Sequence, residues 1–328
     1  MKRFIVGITL LILFILPVRL WAVAEDIPLT LDEALALAIG GNRDLLLKAE
    51  DLKKAKAKLK EAQSGALPTL TFTGGWTDTR GYYYKDIGQT STQVSAKQYL
   101  YKGGKIINSI IYSERGIEIA QAILDKAKLD TVFNIQKAFY TYLLAEELAQ
   151  VNREIYENSL AHLASLQERY SSGEVSESDI LEVKKSLSSV EKAFEAAVNQ
   201  QEASAGILRN LLYLEESVNI RPVAEFSYEP KELAFDEAFL KAMRRRPEIR
   251  QYEAEVKAAK SAIEIAKGDS RPNIYASWDY YSKSHVAAAS GLARNWNDYN
   301  VIGLTFSWPI FDGLVSRHKV EQAVVDLK

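Results

Sequence analysis

The sequence predicts a mainly α chain with a β membrane part, in which a long antiparallel coiled-coil hairpin is joined to four strands belonging to a barrel shared between chains. Three observations carry this. Residues 105–172 contain no proline and a single glycine, Gly116, so they can run as one helix of about 100 Å at 1.5 Å per residue. Four segments alternate apolar and small polar residues with a period of two, the pattern of strands with one apolar face. The order helix-then-strand occurs twice, and internal duplication is its simplest account.

Composition narrows the function before any motif is read. The 328 residues carry a net charge of −2 and are 47% apolar, which excludes a basic nucleic-acid binder and a charge-swollen disordered chain. There is no cysteine, and the histidines are His162, His285 and His318 alone. Thiolate chemistry and disulfides are therefore excluded, and transition-metal sites are impoverished. No catalytic residue, metal site or cofactor is expected, and none of the histidines has a neighbour at ligand spacing; His162 lies on the long helix, His285 in a loop and His318 near the chain end.

The elements follow in order. Lys2 and Arg3 precede an apolar stretch at residues 4–18, and Ala22-Val23-Ala24 offers small side chains to a signal peptidase, so residues 1–24 read as a cleaved export signal. A membrane anchor is the alternative, but Pro17, Arg19 and a stretch shorter than the roughly 20 residues of a spanning helix argue against it. Its removal leaves 38 basic against 43 acidic groups.

Two repeats come next, residues 25–234 and 235–328. An offset of 204 places Leu31-Asp32-Glu33-Ala34-Leu35 on Phe235-Asp236-Glu237-Ala238-Phe239 and holds to Pro68 on Pro272. After a loop six residues longer in the second copy, Tyr99-Leu100-Tyr101-Lys102-Gly103 lies on Pro309-Ile310-Phe311-Asp312-Gly313 at an offset of 210. The second copy breaks off at Lys328, so it is expected to lack its hairpin, which would impair a channel. Thr30 and Glu33 have the spacing of a capping box, which Ala234 removes from the second copy. Residues 42–64 are rich in helix formers, and Gly65 and Pro68 end them.

Strands are expected at about 69–80, 91–101, 273–281 and 299–311. Their apolar faces present Leu70, Phe72 and Trp76; Ile274, Trp278, Ala276 and Tyr280; and Ile302, Leu304, Phe306 and Trp308. Residues 93–101 are the weakest of the four, with Lys97 inside the segment. Tryptophans and tyrosines gathered at these segments suggest the aromatic girdle of a membrane barrel; a soluble sandwich burying the same faces is the alternative. Four strands cannot close a membrane barrel, because an open edge in lipid leaves backbone groups unsatisfied. Several chains must then share one.

The hairpin occupies about 105–216. Val132, Ile135, Phe139 and Tyr142 mark one seam, and Leu129, Phe133 and Tyr140 a second beside it, which implies packing on two flanks. The returning segment sets Ile180, Val183, Leu187, Val190, Phe194, Ala197, Gln201, Ser204, Leu208 and Leu211 at alternating spacings of three and four, a coiled-coil period. At the turn, residues 169–181, Gly173 can end one helix in the left-handed conformation, and Ser176 with Asp179 can cap the next.

With its Arg169, Gly173, Ser176, Asp179, Ile180 and Leu181, this turn resembles the hairpin tip of the outer-membrane efflux protein (TolC-like) family. The helix start at Leu31, the strand exits at Gly103-Gly104 and Gly313, and the duplication resemble it too. The resemblance covers essentially the whole chain after the signal. It implies a homotrimer in the outer membrane, each chain giving four strands to one twelve-stranded barrel, with hairpins forming a periplasmic α-helical tunnel. It also implies a periplasmic adaptor docked at Arg169, Gly173, Ser176, Asp179 and Leu181, an inner-membrane efflux pump or ABC transporter behind it, and outer-membrane lipid against the strand positions above. An exported coiled-coil or adhesin-like protein without channel activity is the competing expectation; it would require neither lipid-facing strands nor a duplicated helix-strand unit.

Overall fold

The computed structural model describes residues 27–82, 85–226, 230, 232, 234–287 and 295–328. The expected export signal lies outside them. In chain order the elements are β1 (Ile27–Leu29), α1 (Leu31–Gly41), α2 (Arg43–Ser64), β2 (Thr69–Tyr82), β3 (Lys85–Lys102), α3 (Lys105–Ser171) and α4 (Glu177–Leu211). There follow β4 (Ile220–Pro222), α5 (Phe235–Arg245), α6 (Pro247–Lys267), β5 (Asn273–Ala287), β6 (Asn295–Ser307) and α7 (Val315–Leu327). They form two compact units: the chain up to Gly41 with Asn134–Ser227, and Asn42–Phe133 with Tyr228–Lys328.

The first unit is built on the hairpin. The Thr30 backbone N–H donates to Glu33 at 2.9 Å while the Glu33 N–H donates back to the Thr30 hydroxyl at 3.3 Å, so α1 starts on the expected capping box. The Thr30 backbone N–H, and after it the Thr30 hydroxyl at 2.8 Å, both donate to the Glu33 carboxyl and hold it below its usual range. The core joins Ala34 and Ala38 of α1, Ile135, Phe139 and Tyr142 of α3, and Ala205 and Leu208 of α4 to Leu29 and Ile220. Leu29 and Ile220 belong to a short parallel pair, β1 with β4, that the sequence pattern did not disclose. Tyr142 is buried here, and its hydroxyl donates to the Ile220 carbonyl at 2.7 Å.

All ten seam positions of α4 are buried or half-buried, and Tyr156 stacks on Phe194 with ring centres 5.7 Å apart. The polar interruption costs little, because Ser204, 2% exposed, donates to the Gln200 carbonyl at 2.8 Å. The two seams of α3 part company: Ile135, Phe139 and Tyr142 are buried, whereas Leu129, Phe133 and Tyr140 are exposed. Helix α4 ends at Leu211, short of the expected 216. Tyr213 there takes φ +57, and the Leu214 N–H reaches back to the Arg209 carbonyl at 3.0 Å, a left-handed cap that halts the helix.

In the second unit Asn42 caps α2 by accepting from the Asp44 and Leu45 N–H groups, whereas α5 starts at Ala234 with no side-chain cap. The four long strands make one antiparallel sheet in the order β2-β3-β5-β6. The repeat is visible in its register. Thr69 opposes Lys97 in the first hairpin and Asn273 opposes Ser307 in the second, the same pair under the offsets of 204 and 210. The strand exits match as well: Gly103 and Gly104 have φ +58 and +79, and Gly313 and Leu314 have +71 and +69.

Three strand expectations are corrected. The segment read as weakest is the longest strand, 18 residues, because Lys97 falls on the polar face and opposes no apolar burial. β6 stops at Ser307 rather than 311, since Pro309 has no N–H for a ladder. His285 lies in β5 opposite Asn295, not in a loop, because backbone pairing continues beyond the point where side-chain alternation fades.

Candidate functional site

The register sorts the sheet into two faces. Directly opposed residues share a face, so the rows read Leu70, Ala96, Trp278, Ile302; then Phe72, Val94, Tyr280, Asn300; then Trp76, Thr90, Ser284, Trp296. Ile274 with Phe306 and Ala276 with Leu304 continue the same face. Every strand position expected to face the membrane is therefore on one side, except that Trp308 lies just past the end of β6, where its indole N–H donates to the Ser270 carbonyl at 3.1 Å. The face is wet in the single chain: Leu70 is 73% and Ile302 83% exposed.

On β2 the large apolar residues of this face are Leu70, Phe72 and Trp76; on β6 they run from Trp296, level with Trp76, through Ile302, level with Leu70, to Phe306. The opposite face carries Thr69, Thr71, Thr73, Gln93, Ser95, Ser277, Asp279 and Thr305. Asp279 accepts from Gln93 Nε2 at 3.1 Å and from the Ser95 hydroxyl at 2.5 Å.

Reading the sequence alone missed Val94, Ala96 and Tyr101 as members of the apolar face. The repeat offset held the signal: Ala96 and Tyr101 stand where Phe306 and Phe311 stand in the second copy.

The hairpin tip belongs to the other unit. Gly173 has φ +82, its N–H donates to the Tyr170 carbonyl at 3.0 Å, and the Glu174 N–H donates to the Arg169 carbonyl at 2.9 Å, a Schellman cap. Arg169 also pairs with Glu174 at 3.2 Å. Ser176 then starts α4 with a full capping box, its N–H and hydroxyl donating to Asp179 at 3.0 and 2.7 Å. The Ser176 hydroxyl, and after it the backbone N–H, holds the Asp179 carboxyl below its usual range. Leu181 is 60% exposed while Ile180 beside it is buried. The five expected tip residues thus lie on or beside one solvent-facing turn held by these hydrogen bonds.

Among the described residues no group of three or more His, Cys, Asp or Glu is placed to hold a metal ion, and no helix is long and apolar enough to cross a membrane. His162 is exposed on α3.

A family model described as outer membrane efflux protein matches residues 34–212 and 240–328. No curated protein sequence matches the chain. Similar solved structures include the Campylobacter jejuni CmeC outer membrane channel, at TM-score 0.72 and 17% identity over 90% of this chain and 65% of that one. The outer membrane protein VceC of Vibrio cholerae has TM-score 0.75 and 14% identity over 90% and 72%. CusC, whose structures concern folding and transmembrane channel formation, has TM-score 0.74 and 17% identity over 90% and 69%. The chain shares its fold with these proteins over 90% of its length.

Proposed function

The chain belongs to the outer membrane efflux protein family, and on that premise we propose that it is the outer-membrane channel subunit of a tripartite efflux or type I secretion system, passing solutes from periplasm to exterior. Three copies set their sheets edge to edge in a twelve-stranded barrel. The tip around Gly173 docks a periplasmic adaptor, which couples the channel to an inner-membrane pump or ABC transporter.

The observation that carries this reading is the apolar face, with its large residues from Phe72 and Leu70 on β2 to Ile302, Leu304 and Phe306 on β6, bounded by two open edges. Each strand has 13 to 18 residues, more than the roughly 9–11 that cross a bilayer at a tilt. Unpaired N–H and C=O groups on β2 and β6 would cost several kcal/mol each in lipid, so these edges must meet. Two copies would give eight strands, a barrel whose interior is filled by its own side chains; three leave a passage. The exposed α3 seam of Leu129, Phe133 and Tyr140 suits a tunnel wall in which each hairpin has neighbours on both flanks.

The repeat supplies the register of the junction. β3 and β5 join the two copies inside one chain, so β6 should meet the next chain's β2 in the same way. Lys97 opposite Ser277 then becomes Ser307 opposite the next copy's Thr73. Because the chain has no cysteine, the test is clean: oxidised Thr73→Cys/Ser307→Cys protein should run as a covalent trimer in denaturing gels. The register-shifted pair Thr71→Cys/Ser307→Cys should cross-link poorly. A Thr73→Cys/Ser307→Cys protein that remains monomeric in outer-membrane fractions would overturn the shared barrel.

A further inference from the structure

The polar face of the sheet carries an excess of one charge, and this bears on what passes. The inference rests on the channel reading above, which makes that face the wall of the passage. Among the residues of this face whose side chains are described, the charged groups are Lys97, Lys102, Lys283 and Asp279, which together give a net +2 per chain.

The lysines are held by rings, not by carboxylates. Lys97 Nζ sits 3.8 Å from the Tyr275 ring centre and 4.8 Å from that of Tyr99. Lys102 Nζ is 4.7 Å from the Tyr99 ring. Lys283 Nζ lies 5.3 and 5.7 Å from the rings of Tyr281 and Tyr299, which stack on each other at 4.9 Å. A ring attracts an ammonium through its quadrupole and carries no net charge, so the lysine is positioned without being neutralised. A carboxylate at the same place would cancel its field. The one carboxylate among the described side chains of this face, Asp279, is already engaged by Gln93 and Ser95.

Lys97 is level with Ser277, six residues along β5 from Lys283, or about 20 Å at 3.3 Å per residue. With three copies the lysines become rings at separate depths, with the Asp279 ring between them. Charge confined by low-dielectric walls focuses potential, and rings of lysine favour anions.

We propose that the barrel interior is an anion-preferring filter set by Lys97, Lys102 and Lys283, so that the favoured solutes are those bearing carboxylate or phosphate. The experiment is reversal-potential measurement in planar bilayers across a KCl gradient, using protein extracted from the outer membrane. The wild type should pass chloride in preference to potassium. Lys97→Glu/Lys283→Glu, which turns the +2 per chain into −2, should reverse the preference, and Lys97→Gln/Lys283→Gln should lie between, a second reading in case the glutamates disturb assembly. A cation-preferring wild type overturns the proposal, as does an unchanged reversal potential in variants that still run as trimers. Absence of any conductance in the wild type overturns the channel reading and this filter with it, whereas cation preference leaves the channel reading standing.

Discussion

Gly103→Ala is the substitution whose cost the structure fixes most tightly. Gly103 follows β3 at φ +58 and packs against the 3-10 turn Gly268–Ser270 that precedes β5. A Cβ there would overlap the Gly268 carbonyl oxygen and stand 3.1 Å from the Gly268 Cα. Its own N–H donates to the Pro272 carbonyl at 3.1 Å, so the strand cannot simply swing away. Two penalties add: roughly 1 kcal/mol for a left-handed alanine and roughly 1–3 kcal/mol for forcing packed backbone apart. Gly173→Ala isolates the first, since Gly173 has φ +82 but a Cβ on it meets nothing within 4 Å. Denaturant titration of detergent-solubilised protein, followed by circular dichroism, should therefore show a loss of about 2–4 kcal/mol for Gly103→Ala and at most about 1 kcal/mol for Gly173→Ala. Equal losses for the two would refute the claim that the contact with Gly268, more than backbone conformation, requires glycine at 103.

Gly173→Leu should weaken cross-linking to the adaptor and lower drug tolerance while leaving the trimer level unchanged, because the side chain resists the left-handed turn and protrudes from the tip. Leu314, held at φ +69, should be improved by Leu314→Gly; relief of about 1 kcal/mol, partly offset by glycine's greater freedom in the unfolded chain, predicts a small rise in the denaturation midpoint. The depressed Asp179 carboxyl favours the folded tip above the usual carboxylate range, and that contribution is lost as pH falls through its lowered folded-state value. Hydrogen exchange at the start of α4 should therefore accelerate relative to the rest of the helix at acidic pH. In Asp179→Asn it should be fast at neutral pH and show no such acid step.

The sequence by itself determined the elements whose causes are local. The 67-residue α3 follows from the absence of proline and the scarcity of glycine, both caps follow from Thr30 with Glu33 and Ser176 with Asp179, and the period of two follows from side chains alternating across a strand. The duplication was legible because two copies of one solution keep the same residues at the joints. What only the tertiary structure decided is how those elements meet. Lys97 makes its segment look like a poor strand, yet the pairing with β5 puts it on the polar face over Tyr275. β1 and β4 are three residues each, too short for any periodicity, and exist because α1 and the end of α4 bring them side by side. Of two apolar seams on α3 that read alike, one is packed against Leu208 and Ala38, and the other, with Leu129, Phe133 and Tyr140, is exposed in the single chain. Periodicity states that a surface is apolar; which surface covers it is settled by long-range contacts between residues far apart in the chain.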